Sequence, residues 1–311
     1  MFKKMLVPLD GSESTEMVGS WAAGLGSRLD AEVGLLAVVN PAELQRSSPT
    51  GERYLEQPPP GPGPGVADRS VDQATRYVEG AKRRLSSDGP QSIIAHVSVG
   101  SPAEHIVSKA EELGADVIAM ATHRERAPVR GILGSVTDRV LHSSRIPVLV
   151  VYPRSPTVFR DRGAAPEVVV VPLDGSSLSE RAVEPGLELA RACNASVAFI
   201  RVAHSQGFGT TGLGWETYAG AHGALAERQQ ARDYLDPFLD MAEQAGLTAT
   251  AFTPVGAPAA RIVTEAEQTD GALIVMSTRG ATGVNRWALG SVTDKVVRTS
   301  DVPVLVIPPA R

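Results

Sequence analysis

The chain has 311 residues, 42% of them hydrophobic and 21% charged, with a formal net charge of −5 and a pI near 5.7. That length suits about two ordinary domains, and that composition suits a soluble globular protein. The acidic balance gives no general attraction to nucleic acid or to an anionic membrane, and no apolar run approaches the roughly 18 residues of a membrane span.

The opening stretch "MFKKMLVPLDGS" meets Pro8 and Asp10 too soon for a signal peptide. It reads instead as a first strand, Met5–Leu9, ending in Asp-Gly-Ser. A helical pattern follows over Glu13–Arg28, then a β-branched strand from Ala31. The loop from Asn40 to Gly65 holds "QPPPGPGPG", a tract with few hydrogen-bond donors that suits a spacer, or a lid. Next come a polar helix over about Val66–Ser86, a strand over Ser92–Val99 and a helix with Pro102 near its start. A fourth strand, Asp116–Ala121, precedes a last helix opening at Gly134-Ser135 and a fifth strand, Pro147–Val151.

The same order then recurs. "MLVPLDGSESTE" matches "VVVPLDGSSLSE" at an offset of 174 − 10 = 164, taken from Asp10 and Asp174. "VGSPAEHIVSKAE" matches "VGAPAARIVTEAE" at 256 − 100 = 156, so the second copy has a net deletion between its second strand and Gly256. Its elements are strand Val168–Leu173, helix Ser177–Cys193, a strand from Ala195 and a glycine-rich loop Ser205–Gly220. They continue with helix Ala221–Ala245, strand Thr248–Val255, a helix at Pro258 and strand Gly271–Ser277. A helix at Gly290-Ser291 and strand Pro303–Ile307 close the copy. The stretch Tyr152–Pro166, rich in Pro, Arg and Gly, reads as the connection. The domains expected are 1–153 and 167–311, with 154–166 as linker.

Strands alternating with helices call for a parallel sheet covered on both faces, and continuous apolar strands agree with burial on both sides. The fold class is therefore α/β, with two doubly wound five-stranded domains in tandem. In such sheets a ligand crevice lies outside the carboxyl ends of the strands, where Asp10, Asp174 and the glycine passages fall. The fifth strands, short, apolar and last in their sheets, would be exposed edges, so they are expected to pair as an internal pseudo-dimer. Pairing of whole chains as a homodimer is a further expectation.

"MSTRGATGVNRWALGSVTDKVV" carries the chemistry of the second copy. Gly280 frees the turn after the fourth strand, and Gly290 removes a side chain where the last helix begins. The Gly290, Ser291 and Val292 amides and the helix dipole then make an anion site, to which the Ser291 hydroxyl can add. Gly-Ser opening a helix is most often a plain cap. Here it stands beside Asp174, after a fourth parallel strand. In the first copy, "MATHRERAPVRGILGSVTDRVL" has Arg124 at the turn in place of glycine.

With "VPLDGS", "GSVTD" and "PVLV" in both copies, each half resembles a universal stress protein domain. ATP-binding members of that family carry G-x2-G-x9-G-[S/T] after the fourth strand and an Asp after the first. The resemblance implies strand order 3-2-1-4-5, ATP held by the glycine loop, and domain pairing through the fifth strands; Mg2+ beside the phosphates is a separate, lesser expectation. Carried over, Ser277 stands at the first motif glycine, followed by Gly280, Gly290 and Ser291 with Val292 beside them. Asp174, with Pro172 two residues before it, matches the acidic residue facing ribose or adenine. Val202 matches the position whose backbone meets adenine. In the first copy Ala121 and Arg124 replace the first two glycines, while Gly134, Ser135, Asp10 and Val38 remain. Arg124 disfavours a turn that needs positive φ, yet a guanidinium is also a good phosphate ligand.

No G-x4-G-K-[S/T] string and no paired metal-ligand spacing occurs, and nothing resembles a nucleophile with its base. Neither long loop contains the inserted reactive site that an enzyme of the wider adenine-nucleotide hydrolase group would need. His96 and His123 fit solvated or structural roles, and Asp138 and Asp294 fit first-turn carboxylates that complement a helix dipole, more readily than Mg2+ ligands. The expected function is an ATP-binding stress regulator or sensor with an unidentified protein partner, not an enzyme. The rival is an interaction module that has lost nucleotide binding in one or both halves. The lone Cys193 rules out an intrachain disulfide, points to a reducing cytoplasm and suits a buried helix face.

Overall fold

A computed structural model of the chain describes residues 2–41, 64–86, 92–122, 133–152, 165–203, 216–278 and 289–309, with main chain alone at 64–69 and 216–224. The first copy runs β1 (Lys4–Leu9), α1 (Glu13–Leu29), β2 (Glu32–Val39), α2 (Pro64–Leu85), β3 (Ile93–Val99), α3 (Pro102–Leu113), β4 (Val117–Ala121), α4 (Ser135–Ser143) and β5 (Val148–Val151). The second runs β6 (Val168–Pro172), α5 (Ser177–Glu180), α6 (Val183–Cys193), β7 (Ser196–Ile200), α7 (Glu216–Gln244), β8 (Ala249–Phe252), α8 (Pro258–Glu267), β9 (Ala272–Ser277), α9 (Ser291–Thr299) and β10 (Val304–Ile307).

The strands form one sheet in the order β3-β2-β1-β4-β5-β10-β9-β6-β7-β8. Each half alone therefore has the order 3-2-1-4-5, with parallel neighbours throughout. Successive side chains go to opposite faces, which divides each valine run in two. Met5, Val7, Val169 and Val171 face one core with Val18 and Trp21 of α1 and Leu235 of α7. Leu6 and Val170 face the other with Ile106 of α3, Val140 of α4, Ile262 of α8 and Val296 of α9. Both cores run through both copies.

The copies meet at the fifth strands, as their apolar sequences suggest. β5 and β10 pair antiparallel, with Val304 opposite Val150, Leu305 opposite Leu149 and Val306 opposite Val148. Pairing removes two edges that would otherwise template association. Tyr152, assigned from sequence to the connecting stretch, is instead 1% exposed. Its hydroxyl donates to the carbonyl of Val297 at 2.5 Å. That carbonyl lies in the last turn of α9, where the helix has no N–H donor of its own to offer it. Arg298 ties α9 to α4 across the same junction. It donates to Asp294 within α9 at 2.8 Å and to Asp138 of α4 at 2.6 Å.

Two elements depart from the sequence pattern. The helix expected over Ser177–Cys193 breaks at Arg181–Ala182 into α5 and α6. Pro185 has no N–H to give the Arg181 carbonyl and would crowd it, so the turn opens there. The third strand of the second copy ends at Phe252, two residues before Pro254, and pairing resumes only as a bridge between Ala203 and Val255.

Cys193 is buried at the end of α6. Burial pushes its thiol up to about 11, against a smaller opposite pull from Arg28. Folding thus favours the protonated thiol. This contribution to stability is complete below the ordinary thiol range and is lost as the pH rises through about 11. Native protein at pH 8 is expected to be alkylated at least roughly 100-fold more slowly than denatured protein, because only the thiolate reacts. Equal rates followed by mass spectrometry would show an accessible thiol.

Candidate functional site

The carboxyl ends of β6, β7 and β9 and the start of α9 meet at one edge of the second half; β1, β2, β4 and α4 do the same in the first. Each first strand ends in a turn built by its aspartate. Asp174 Oδ1 accepts from the Ser176 amide at 2.9 Å and the Ser176 hydroxyl at 2.6 Å. Asp10 Oδ1 accepts from the Ser12 amide at 2.9 Å and the Thr15 hydroxyl at 2.8 Å. The glycine between aspartate and serine has φ of +83° at Gly11 and +90° at Gly175, which requires glycine. Both aspartates shape their turns and remain exposed at the carboxyl edge of the sheet.

The last helices begin alike. Gly134 and Gly290 are N-caps without a side-chain hydrogen bond. Their φ values, −60° and −63°, suit any residue, so backbone conformation does not explain the glycines. Thr137 and Thr293 anchor the helix starts, donating to the carbonyls of Ala121 at 3.0 Å and Ser277 at 2.8 Å. One detail corrects the sequence reading. The Gly290 amide is already used by the Thr278 carbonyl at 2.5 Å, leaving Ser291 and Val292 to offer their amides. Neither has a backbone acceptor among the described residues, as the first turn of a helix requires.

The structure therefore brings Asp174, Ser277, Gly290, Ser291 and Val292 to one edge, with Val202 just beyond β7. Pro172 lies buried in β6, paired with Ile200. In the first copy Asp10, Ala121, Gly134 and Ser135 assemble likewise, and Val38 lies on β2 opposite Ser98. Gly280, Arg124 and His123 fall outside the described residues. His96 is mid-strand in β3 and packs on Gly34, away from the strand ends. Burial, helped by Lys109, holds its pKa below the ordinary histidine value. Asp138 and Asp294, weighed above as Mg2+ ligands, are engaged by Arg298 at the junction of the copies.

Sequence reasoning passed over a tyrosine in each copy. Tyr77 donates to Glu16 and Tyr234 to Glu180, each at 2.7 Å. Burial first, then the carboxylate, raises both phenols above their ordinary range. In the first copy Arg84 also bonds Glu16 at 2.9 Å. In the second, Arg201 stacks on the Tyr234 ring at 4.0 Å instead. Arg201 interrupts the apolar run "ASVAFIRVAH", a signal visible in the sequence.

A model of the universal stress protein family matches residues 1–152 and 166–308. Universal stress protein MJ0531 of Methanocaldococcus jannaschii is 34% identical over 141 residues, covering 45% of this chain and 80% of that protein. Universal stress protein Mb2346c of Mycobacterium bovis is 28% identical over 249 residues, covering 78% of this chain and 80% of its own length. The crystal structure of a universal stress protein from Archaeoglobus fulgidus superposes with a TM-score of 0.67 at 22% identity, covering 99% and 96% of the two chains. That last likeness concerns the fold.

Proposed function

This chain belongs to the universal stress protein family, and from that premise we propose that it is an ATP-binding regulator or sensor rather than a catalyst. One observation carries the proposal: α9 begins without a side-chain cap, on a glycine its backbone does not need, one strand away from the Asp174 turn. The Ser291 and Val292 amides and the Ser291 hydroxyl would hold phosphate, and Asp174 would accept from a sugar hydroxyl. The bound nucleotide supplies a charged group whose presence or absence a partner protein can register. No helix among the described residues is long and apolar enough to cross a membrane. A cytoplasmic setting, the division into 1–153, 154–166 and 167–311, a homodimer of whole chains and a partner protein that receives the signal complete the proposal.

A second reading, an interaction module without nucleotide, is favoured in the first half by Ala121 and Arg124 at the motif positions. At that turn two effects compete. A guanidinium on phosphate is worth about 1.5–3 kcal/mol, while a side chain costs about 1–3 kcal/mol if the turn needs positive φ. We expect the guanidinium to prevail and both halves to bind, the second more tightly.

Mass spectrometry of ligand released from the purified full chain, followed by calorimetry with ATP and ADP, tests this. Two sites are expected in the parent, with the weaker one lost or weakened in Arg124→Gly. One site in the parent and two in the variant would show that Arg124 closes the first crevice. A chain that releases no nucleotide and takes up none would leave the interaction module as the function.

A further inference from the structure

Arg201 directly follows β7, on the sheet face opposite the core that Val202 packs against. Its guanidinium carbon stands 4.0 Å from the centre of the Tyr234 ring. On the other side, a Cβ added to Gly175 would meet its terminal nitrogens at 3.0 and 3.1 Å. The charged fork is thus held between an aromatic face and the backbone of the turn that carries Asp174. The ring itself is fixed by the bond from the Tyr234 hydroxyl to Glu180 at 2.7 Å. Among the described residues Arg201 makes no salt bridge with a carboxylate. Glu180 and Asp174 both lie near the same ring, but a partly buried guanidinium that is positioned and bonded to neither is pre-organised for an oxyanion.

The strand order says where on a ligand that oxyanion would be. Along the carboxyl edge the ends follow as β9, β6, β7, spaced by about 4.8 Å. The α9 start beside β9 attracts phosphate. Asp174, on β6, repels phosphate and accepts from hydroxyls, so the sugar lies there. Arg201, one strand further on, stands beyond that sugar on the α7 face of the sheet, while Val202, whose backbone is expected to meet adenine, packs toward the opposite face. The first copy has Ala37 at this place, since 201 − 164 = 37. The two crevices thus differ by one fixed positive charge at the sugar end.

Resting on the nucleotide reading of this crevice, we propose that Arg201 makes the second half selective for nucleotides bearing an additional phosphate on the 2′ or 3′ oxygen of the ribose. The first half, with Ala37, has no such preference.

ADP and adenosine 3′,5′-bisphosphate are isomers with the same number of phosphates, so comparing them isolates the position of the charge. In calorimetry on the full chain, one site is expected to bind the bisphosphate at least about tenfold more tightly than ADP, the scale of one charge-assisted contact. Adenosine 2′,5′-bisphosphate then shows which oxygen carries the group. Arg201→Gln is expected to remove the preference while leaving ADP affinity within about twofold, and Arg201→Lys to retain part of it. If ADP binds but the isomers are bound alike, the selectivity is overturned and the nucleotide reading stands. If Arg201→Gln weakens both isomers equally, the residue only packs against Tyr234 and the proposal fails. If neither isomer nor ATP binds the parent, both fall together.

Discussion

Replacing Tyr152 by alanine is expected to lower the unfolding free energy by roughly 3–5 kcal/mol, the range for deleting a large buried aromatic side chain. The residue is 1% exposed at the end of β5, and its hydroxyl serves a carbonyl of α9 in the other half. The deletion would therefore leave a void between the halves and an unsatisfied acceptor beside it. Tyr152→Phe keeps the ring and loses only the hydroxyl, so about 1–2 kcal/mol is expected. Urea unfolding followed by circular dichroism and by fluorescence measures both. The parent should unfold in one transition by the two probes, because both cores run through the junction. An alanine variant within about 1 kcal/mol of the parent would mean that the halves do not depend on this contact.

Gly290→Val is expected to weaken nucleotide binding at the second crevice on the order of 100-fold, the equivalent of roughly 3 kcal/mol of steric intrusion. The fold should survive. Gly290 has φ −63° and ψ 148°, which valine adopts readily. Its amide and carbonyl keep their bonds to Thr278 and Asp294. Helix capping should suffer by about 1 kcal/mol. Asp174→Ala should weaken binding less, by about tenfold for one lost hydrogen bond to a charged group. It should also loosen the turn, because Asp174 Oδ1 holds Ser176 by two hydrogen bonds. Calorimetry on the three proteins decides the matter. Parental affinity in both variants would place the nucleotide elsewhere.

Most of the architecture was legible because it is written in short, local patterns. Runs such as "VVVVP" and "VLVV" can be little other than strands buried on both faces. Asp-Gly-Ser after the first run in each copy announces a turn that only glycine can make. The break before Pro185 was legible too, since an internal proline signals it. It was hidden by alignment with α1, which carries Trp21 at the equivalent place and runs unbroken. Tyr152 could not be read locally, because its partner lies 145 residues away and its neighbours are those of a linker. The use of the Gly290 amide by Thr278 was equally invisible, for it depends on how a loop closes. Arg201 was visible as a charge in an apolar run, but its meaning needed Tyr234 and Gly175 beside it.

The antiparallel join of β5 to β10 makes the meeting of the two halves a unimolecular event. Separate subunits joined the same way would come apart on dilution, whereas tethered ones face each other at an effective concentration in the millimolar range or above. No threshold of expression then governs assembly. The same tether frees the halves from inheriting each other's substitutions. In a homodimer a change in one half appears in both; on this chain Arg201 can stand in one half while Ala37 stands in the other, and each half can drift on its own.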